Sequence, residues 1–257
     1  MGQHWKANER DYLSHIGSPY KGGRGLWKKA EGLGSQFPGL SSFIIDCTSS
    51  DNVFCISLPE DPRRLVFKQQ AEAVGQKFQW WDAIDGRGKT REALETLTPW
   101  PVQWGEPNSH DTLQRSGELA LILSSIALWE HAYEQELDYL VVMEDDAKLL
   151  APLIIEAPND ADLVFFNDRS RRGPNGLTSG YVCGTDGYYA SRSGIAKLLE
   201  LFKQIYMPLD LQMIAQMPQM KLCGHHLAER FNADAPALLS YTIKPLVVHG
   251  SSISIIR

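Results

Sequence analysis

The sequence predicts an α/β protein built on a Rossmann-type, nucleotide-binding sheet that is mostly parallel. Three observations predict it. Residues 53–58 (VFCISL) are apolar and β-prone, 65–74 carry helical spacing, and Phe78, Trp80 and Trp81 open a second strand, so strand, helix and strand follow in order. Leu119, Ile122, Leu123, Ile126, Trp129 and Tyr133 then recur at helical spacing and give an apolar face. A short apolar run, Tyr139, Leu140, Val141, Val142 and Met143, follows as a buried strand and leads straight into Glu144, Asp145 and Asp146.

In chain order, residues 1–50 read as an N-terminal extension packing on a main domain at 51–257. The extension is rich in Gly, Lys and aromatics. Its KGGRG run at 21–25 lacks the spacing of a phosphate loop and has no strand before it. A strand is expected at 43–47, and TSSDN turns the chain into the strand at 53–58. Residues 87–115, broken by Pro99, Pro101 and Pro107, read as one long loop, with Trp100 and Trp104 either plugging it onto the core or stacking on a sugar or base. Ser116 is placed to cap the long helix, and Glu118 puts a negative charge in its first turn, where the helix dipole favours it. A strand at 161–166, a basic Gly-rich segment at 169–180, a helix at 193–205 and a last strand ending at His249 complete the chain. Arg169, Arg171 and Arg172 either meet a diphosphate or anionic acceptor or lie on a solvated flap.

Composition narrows the function. A net charge of -6 argues against a broad phosphate-backbone footprint, so a nucleic-acid acceptor is disfavoured without being excluded. No apolar run reaches the ~18 residues of a membrane span, and the first residues lack the apolar core of a secretion signal, which gives a cytoplasmic expectation, with peripheral membrane contact compatible. Cys47, Cys55, Cys183 and Cys223 contain no CxxC and read as reduced thiols.

Neighbouring carboxylates repel, and burying one without a partner is costly. A hard divalent cation removes that conflict and bridges to phosphate oxygens, and ligands of open α/β sheets bind outside the carboxyl ends of the strands. The triplet at 144–146 therefore suits a metal–diphosphate site; a solvated acidic turn would carry the same residues.

With these pieces in order, the chain resembles glycosyltransferase family 25, which includes lipooligosaccharide and collagen galactosyltransferases, over about residues 52 to 215. The resemblance is carried by Ile56, Ser57, Leu58 and Arg64; by Ala83, Ile84, Asp85 and Gly86; and by Gly117, Glu118, Ser124, Leu128, Trp129 and Glu130. It continues through Met143, Glu144, Asp145 and Asp146; Gly184, Thr185, Tyr188, Ser191, Gly194, Leu198 and Leu199; and Pro208 with Asp210. Departures stand at Ser57, where the family has asparagine, and at Ser125, where it has histidine.

The resemblance implies a GT-A-like fold and an inverting, metal-dependent hexosyltransferase that uses a UDP-sugar, with galactose or glucose as the hexose. The acceptor hydroxyl would sit on a glycan, a lipid-linked sugar or a protein. It implies Mn²⁺ or Mg²⁺ on Glu144, Asp146 and His249, with Asp145 beside the diphosphate. Ser57, Leu58, Arg64 and Asp85 would meet the nucleotide, with Asp210 as general base and Glu118 as a weaker candidate. Two other classes compete: a catalytically impaired scaffold that binds nucleotide sugars, and a metal phosphohydrolase on the same carboxylates, which would need a second acidic cluster that the sequence does not offer.

Overall fold

The computed structural model describes residues 27–29, 36–37, 39–106, 111–178, 184–222 and 226–250. The KGGRG run, Pro107, Cys183 and Cys223 lie outside the described residues.

The strands and helices, in order, are β1 (Trp27–Lys29), β2 (Ser42–Asp46), β3 (Val53–Ser57), α1 (Arg63–Val74), β4 (Gln79–Asp82), α2 (Arg91–Glu95) and α3 (Ser116–Glu134). They continue as β5 (Tyr139–Glu144), β6 (Ala147–Leu149), β7 (Ile154–Pro158), β8 (Leu163–Asn167), β9 (Gly187–Ser191), α4 (Arg192–Leu201), α5 (Leu209–Ala215), α6 (Gln219–Leu222) and β10 (Ser240–His249).

Seven strands form the main sheet in the order β4-β3-β5-β9-β8-β10-β6. The α/β class holds, but the expectation of a mostly parallel sheet does not. β3 runs parallel to β4 and β5, and β8 to β10, whereas β9 is antiparallel to both β5 and β8, and β6 is antiparallel to β10. The cause lies in the connections. α1 carries the chain from β3 across to β4, as a parallel return requires. Between β8 and β9 the helical structure among the described residues is a 3-10 turn at Pro174–Gly176, and the chain returns antiparallel.

A smaller antiparallel sheet, β1-β2-β7, joins the early strands to residues 154–158. Glu156 fastens it, accepting from Gln36 N at 2.8 Å and Ser42 Oγ at 2.7 Å.

Strand alternation sorts the main sheet's side chains to two faces. Phe54, Ile56, Leu140, Val142, Phe165 and Tyr188 pack with α3, α4 and α5. Val53, Cys55, Val141, Met143, Val164 and Tyr189 pack with Phe67 and Ala71 of α1, with Ile45 and Ile155 of the small sheet, and with Phe37 ahead of β2. Cys47 and Cys55 are buried free thiols, and burial pushes the Cys47 thiol up to about 12, so neither is a poised nucleophile.

α3 is buried on more than one face: Ala120, Ser124, Ser125 and Leu128 are enclosed along with the expected apolar stripe. Trp129 anchors it, with Nε1 donating to the Tyr188 hydroxyl of β9 at 2.9 Å. The helix starts one residue earlier than its sequence signal. Arg115 is the N-cap, and the Ser116 hydroxyl instead donates to Lys89 O at 3.1 Å, fixing the cleft's outer turn to α3.

Candidate active site

The carboxyl ends of the parallel trio β4-β3-β5 lie side by side, with Ser57 in register with Asp82 and Ile56 with Glu144. Beyond them opens a cleft of about 310 Å³. Ser57, Leu58 and Arg63 line one wall, the turn of residues 83–89 and the start of α3 another, and Glu144, Asp145 and Asp146 the floor. Gly86 lets the turn approach α3 closely, since a Cβ there would stand 2.8 Å from Ser116 O and 2.9 Å from the Ala120 methyl.

The three acids of the floor have different partners. Asp145 is held from both sides: Ser57 Oγ donates to its Oδ2 at 2.6 Å, and Arg63 stands 3.1 Å from its Oδ1. Arg63 also forks onto Asp61 through Nε and NH2. The Glu144 carboxylate accepts from Thr185 Oγ1. Asp146 is 8% exposed, yet its Oδ1 is buried without a hydrogen-bond partner. An orphaned carboxylate oxygen in such a place is costly unless something positive completes it.

Two groups from later in the chain come close to Asp146. Asp146, Asp186 and His249 each offer a ligand atom, and the three atoms lie within 4.8 Å of one another. Asp186, just before β9, is 1% exposed. His249 ends β10, with Nδ1 3.3 Å from Asp186 Oδ1 and its backbone N–H donating to Asp168 Oδ1 at 3.0 Å. Gly250 N donates to Asp146 O at 2.7 Å, tying the strand end to the acid turn. Two carboxylates and an imidazole form the donor set that Mn²⁺ or Mg²⁺ accepts, so the residues fit a divalent cation.

Burial, then the neighbouring Asp146 and Asp186 charges, raises the Glu144 carboxyl well above its ordinary range. Burial, then Asp186, raises Asp146, against the opposing pull of His249 and Arg63. Burial also raises Asp145 despite Ser57 and Arg63. Crowding of like charge in a poorly solvated pocket is the shared cause.

The residues expected from sequence fall in three places. Ser57, Leu58, Asp85, Glu144, Asp145 and Asp146 line the cleft, and His249 joins Asp146. Asp85 is tied to Arg87 through Nε at 2.9 Å and NH2 at 2.8 Å, which lowers its carboxyl to about 2. Asp210 lies in the first turn of α5 and off the cleft lining, its Oδ2 accepting from Gly184 N at 2.9 Å and its Oδ1 from Leu211 N at 2.9 Å. Burial raises its carboxyl as well.

Arg64 points elsewhere. It donates to Ser57 O at 2.8 Å and Asp82 Oδ1 at 2.6 Å, and it stacks over Trp80, clamping the β3 and β4 ends outside the cleft lining. Its neighbour Arg63 faces the acids. Glu118 lies off the cleft lining, and its Oε2 accepts from Gln114 N at 2.9 Å and Arg115 N at 3.0 Å, closing the start of α3. Glu118→Ala is therefore expected to lower stability by about 1 kcal/mol, read as a denaturation midpoint, and to leave turnover near the parent value. A collapse of turnover at unchanged stability would move Glu118 into the chemistry.

Sequence reasoning missed Asp186 and Arg63. Asp186 occupies the unspecified position between Thr185 and Tyr188 in the motif, so only its acidity marked it. Trp104 behaves as a plug: Nε1 donates to Glu95, and Arg91 stacks on the ring at 4.3 Å.

Residues 50–153 match the family model described as glycosyltransferase family 25 (LPS biosynthesis protein). No curated protein matches the chain. Among solved structures, a glycosyltransferase involved in the glycosylation of the major capsid of PBCV-1 is similar at 9% identity, covering 79% of this chain and 93% of that one. Its TM-score is 0.37, a loose overlap. From β3 through the acid turn to residue 153, this chain is similar to glycosyltransferase family 25.

Proposed function

We propose that the protein is a metal-dependent, inverting transferase with a GT-A-like nucleotide site, moving galactose or glucose from a UDP-sugar to an acceptor hydroxyl. The single observation that carries this reading is the convergence of Asp146, Asp186 and His249 on one point at the edge of a cleft that Asp146 also lines. Asp146, Asp186 and His249 would hold Mn²⁺ or Mg²⁺, and Glu144, at the end of β5 two positions before Asp146, would bear on them through its charge. When bound, the cation supplies neutralisation of the charge that grows on the leaving diphosphate. Ser57, Leu58 and the turn at Asp85 would seat the nucleoside, and Arg63, already braced on Asp61, would keep Asp145 in place at the floor. Asp210 would take the proton of the acceptor hydroxyl; its raised carboxyl makes it a stronger base than an exposed aspartate. The acceptor would be a glycan, a lipid-linked sugar or a protein hydroxyl.

On this reading residues 51–257 form the transferase domain, with 1–50 as its extension, and the protein is cytoplasmic; no helix among the described residues is long and apolar enough to cross a membrane.

The test is thermal denaturation across a panel of UDP-sugars with and without Mn²⁺. The folded-state values of Glu144, Asp145 and Asp146 are raised, so the folded protein holds protons that the unfolded chain releases. Stability from these groups is fully present below the unfolded carboxylate range near pH 4, and it is lost as pH rises through the raised folded values. A cation restores it only where the carboxylates ionise. At ~100 times its dissociation constant the cation is expected to add ~2.7 kcal/mol near pH 7.5, about 5–10 °C, and distinctly less near pH 5. Equal melting with and without Mn²⁺ and UDP at both pH values would remove the proposal's basis.

A further inference from the structure

Asp186 serves two masters. His249 Nδ1 approaches its Oδ1, and the Arg169 guanidinium engages the same carboxylate, Nε donating to Oδ2 at 2.8 Å and NH2 reaching both oxygens. The side chain arrives from the segment just after β8 and crosses Gly184, whose missing Cβ makes room for it: a methyl there would stand 2.0 Å from the guanidinium. Gly184, at φ +101°, is also the residue whose N–H binds Asp210. Arg169 thus runs between the two acids assigned to cation and base. Its side chain is 30% exposed, whereas that of Asp186 is 1% exposed.

A buried carboxylate needs countercharge. Here both of its oxygens are already committed to a guanidinium. A divalent cation bound by Asp146, Asp186 and His249 draws on those same oxygens, and it places its own positive charge beside a positive side chain. Both cannot hold Asp186 at full strength.

We propose that Arg169 is an exchangeable internal countercharge: it fastens Asp186, yields the carboxylate when a divalent cation binds, and is thereby delivered to the anionic diphosphate of the donor. The inference rests on the cation reading above and assigns to Arg169 a positioning role in it. It makes the arrival of the cation and the supply of a phosphate-binding arginine a single event. A planar guanidinium suits both ends of that exchange, since it forks onto carboxylate and phosphate alike.

The experiment is a pair of titrations on the full chain: Mn²⁺ alone, followed by the loss of its free electron-paramagnetic signal, and UDP at saturating Mn²⁺, followed by calorimetry. Arg169→Gln is expected to bind Mn²⁺ ~10-fold more tightly than the parent while binding UDP ~10-fold more weakly. An ordinary outer support of a metal ligand gives the opposite sign on the first, a loss of ~10–100-fold. Arg169→Lys keeps the charge without the fork and is expected to fall between parent and Arg169→Gln in both titrations; it also serves if Arg169→Gln fails to fold. Unchanged or weakened Mn²⁺ binding in the variants, with a parent that binds Mn²⁺, overturns the exchange and leaves the cation site standing. A parent that binds no Mn²⁺ brings down both.

Discussion

Asp146→Asn is expected to reduce transfer by about 10³-fold, some 4 kcal/mol of transition-state stabilisation, and to abolish the Mn²⁺-dependent rise in melting temperature. The substitution keeps the volume and removes the one carboxylate that belongs to both the cleft floor and the converging triad. Its effect on the metal-free fold should run the other way. After burial, the Asp146 charge does most to raise Glu144, so taking that charge away lets Glu144 ionise at lower cost. Above the ordinary carboxylate range the variant should therefore melt at or above the parent without metal, and below it once Mn²⁺ is added. Crossing melting curves of this kind separate a cation ligand from a structural acid. If Asp146→Asn turned over donor with undiminished Mn²⁺ dependence, the triad would have to be abandoned as the metal site.

Most of the half that frames the cleft was legible because its signals are local. The run from Val53 to Ser57, the helix after Pro62 and the strand ending at Glu144 each announce themselves within a dozen residues, and their parallel pairing follows from the crossover between them. The other half depends on distant pairings. β9 turns antiparallel because of how the chain returns from β8, and β7 pairs with residues more than a hundred positions earlier, which no short pattern encodes. α2 was hidden inside a proline-broken stretch because it is only five residues long; the Thr90 cap and the buried Leu94 hold it.

The site shows the same division. Glu144, Asp145 and Asp146 were conspicuous as a run, whereas Asp186 is a lone acid whose meaning comes only from the strands that bring it to Asp146 and His249. Arg63 and Arg64 are adjacent in sequence, but one residue of helix turns the side chain by about 100°, so one braces Asp145 and the other leaves for Asp82. Glu118 reads first as a first-turn charge and only second as a base, and the positions of Gln114 N and Arg115 N show it closing the helix start. At Ser125, where the family carries histidine, the hydroxyl is buried on α3 with no hydrogen-bond partner, so whatever contact a histidine makes there is not replaced by this side chain.

Asp210→Asn is expected to lower kcat by ~10²–10⁴-fold while leaving the Mn²⁺ and UDP affinities close to the parent values. The residue is not one of the three converging groups, and its two carboxylate oxygens hold the backbone at Gly184 and Leu211. An amide can satisfy only one of those N–H groups with its oxygen and presents a donor to the other, so a stability loss of about 1–3 kcal/mol accompanies the chemical one. The pH profile separates the two effects. A base held above the ordinary carboxylate range by burial makes kcat/KM climb with pH through that raised value, because only the ionised form accepts the proton. Asp210→Asn should lose that acidic limb along with the rate, leaving a low, flat profile. A purely structural aspartate predicts something else: donor binding and melting temperature fall in step with turnover, and what activity remains keeps the parent's limb. The second pattern would return Asp210 to the role of a strut beneath Gly184 and leave the acceptor's proton to another group.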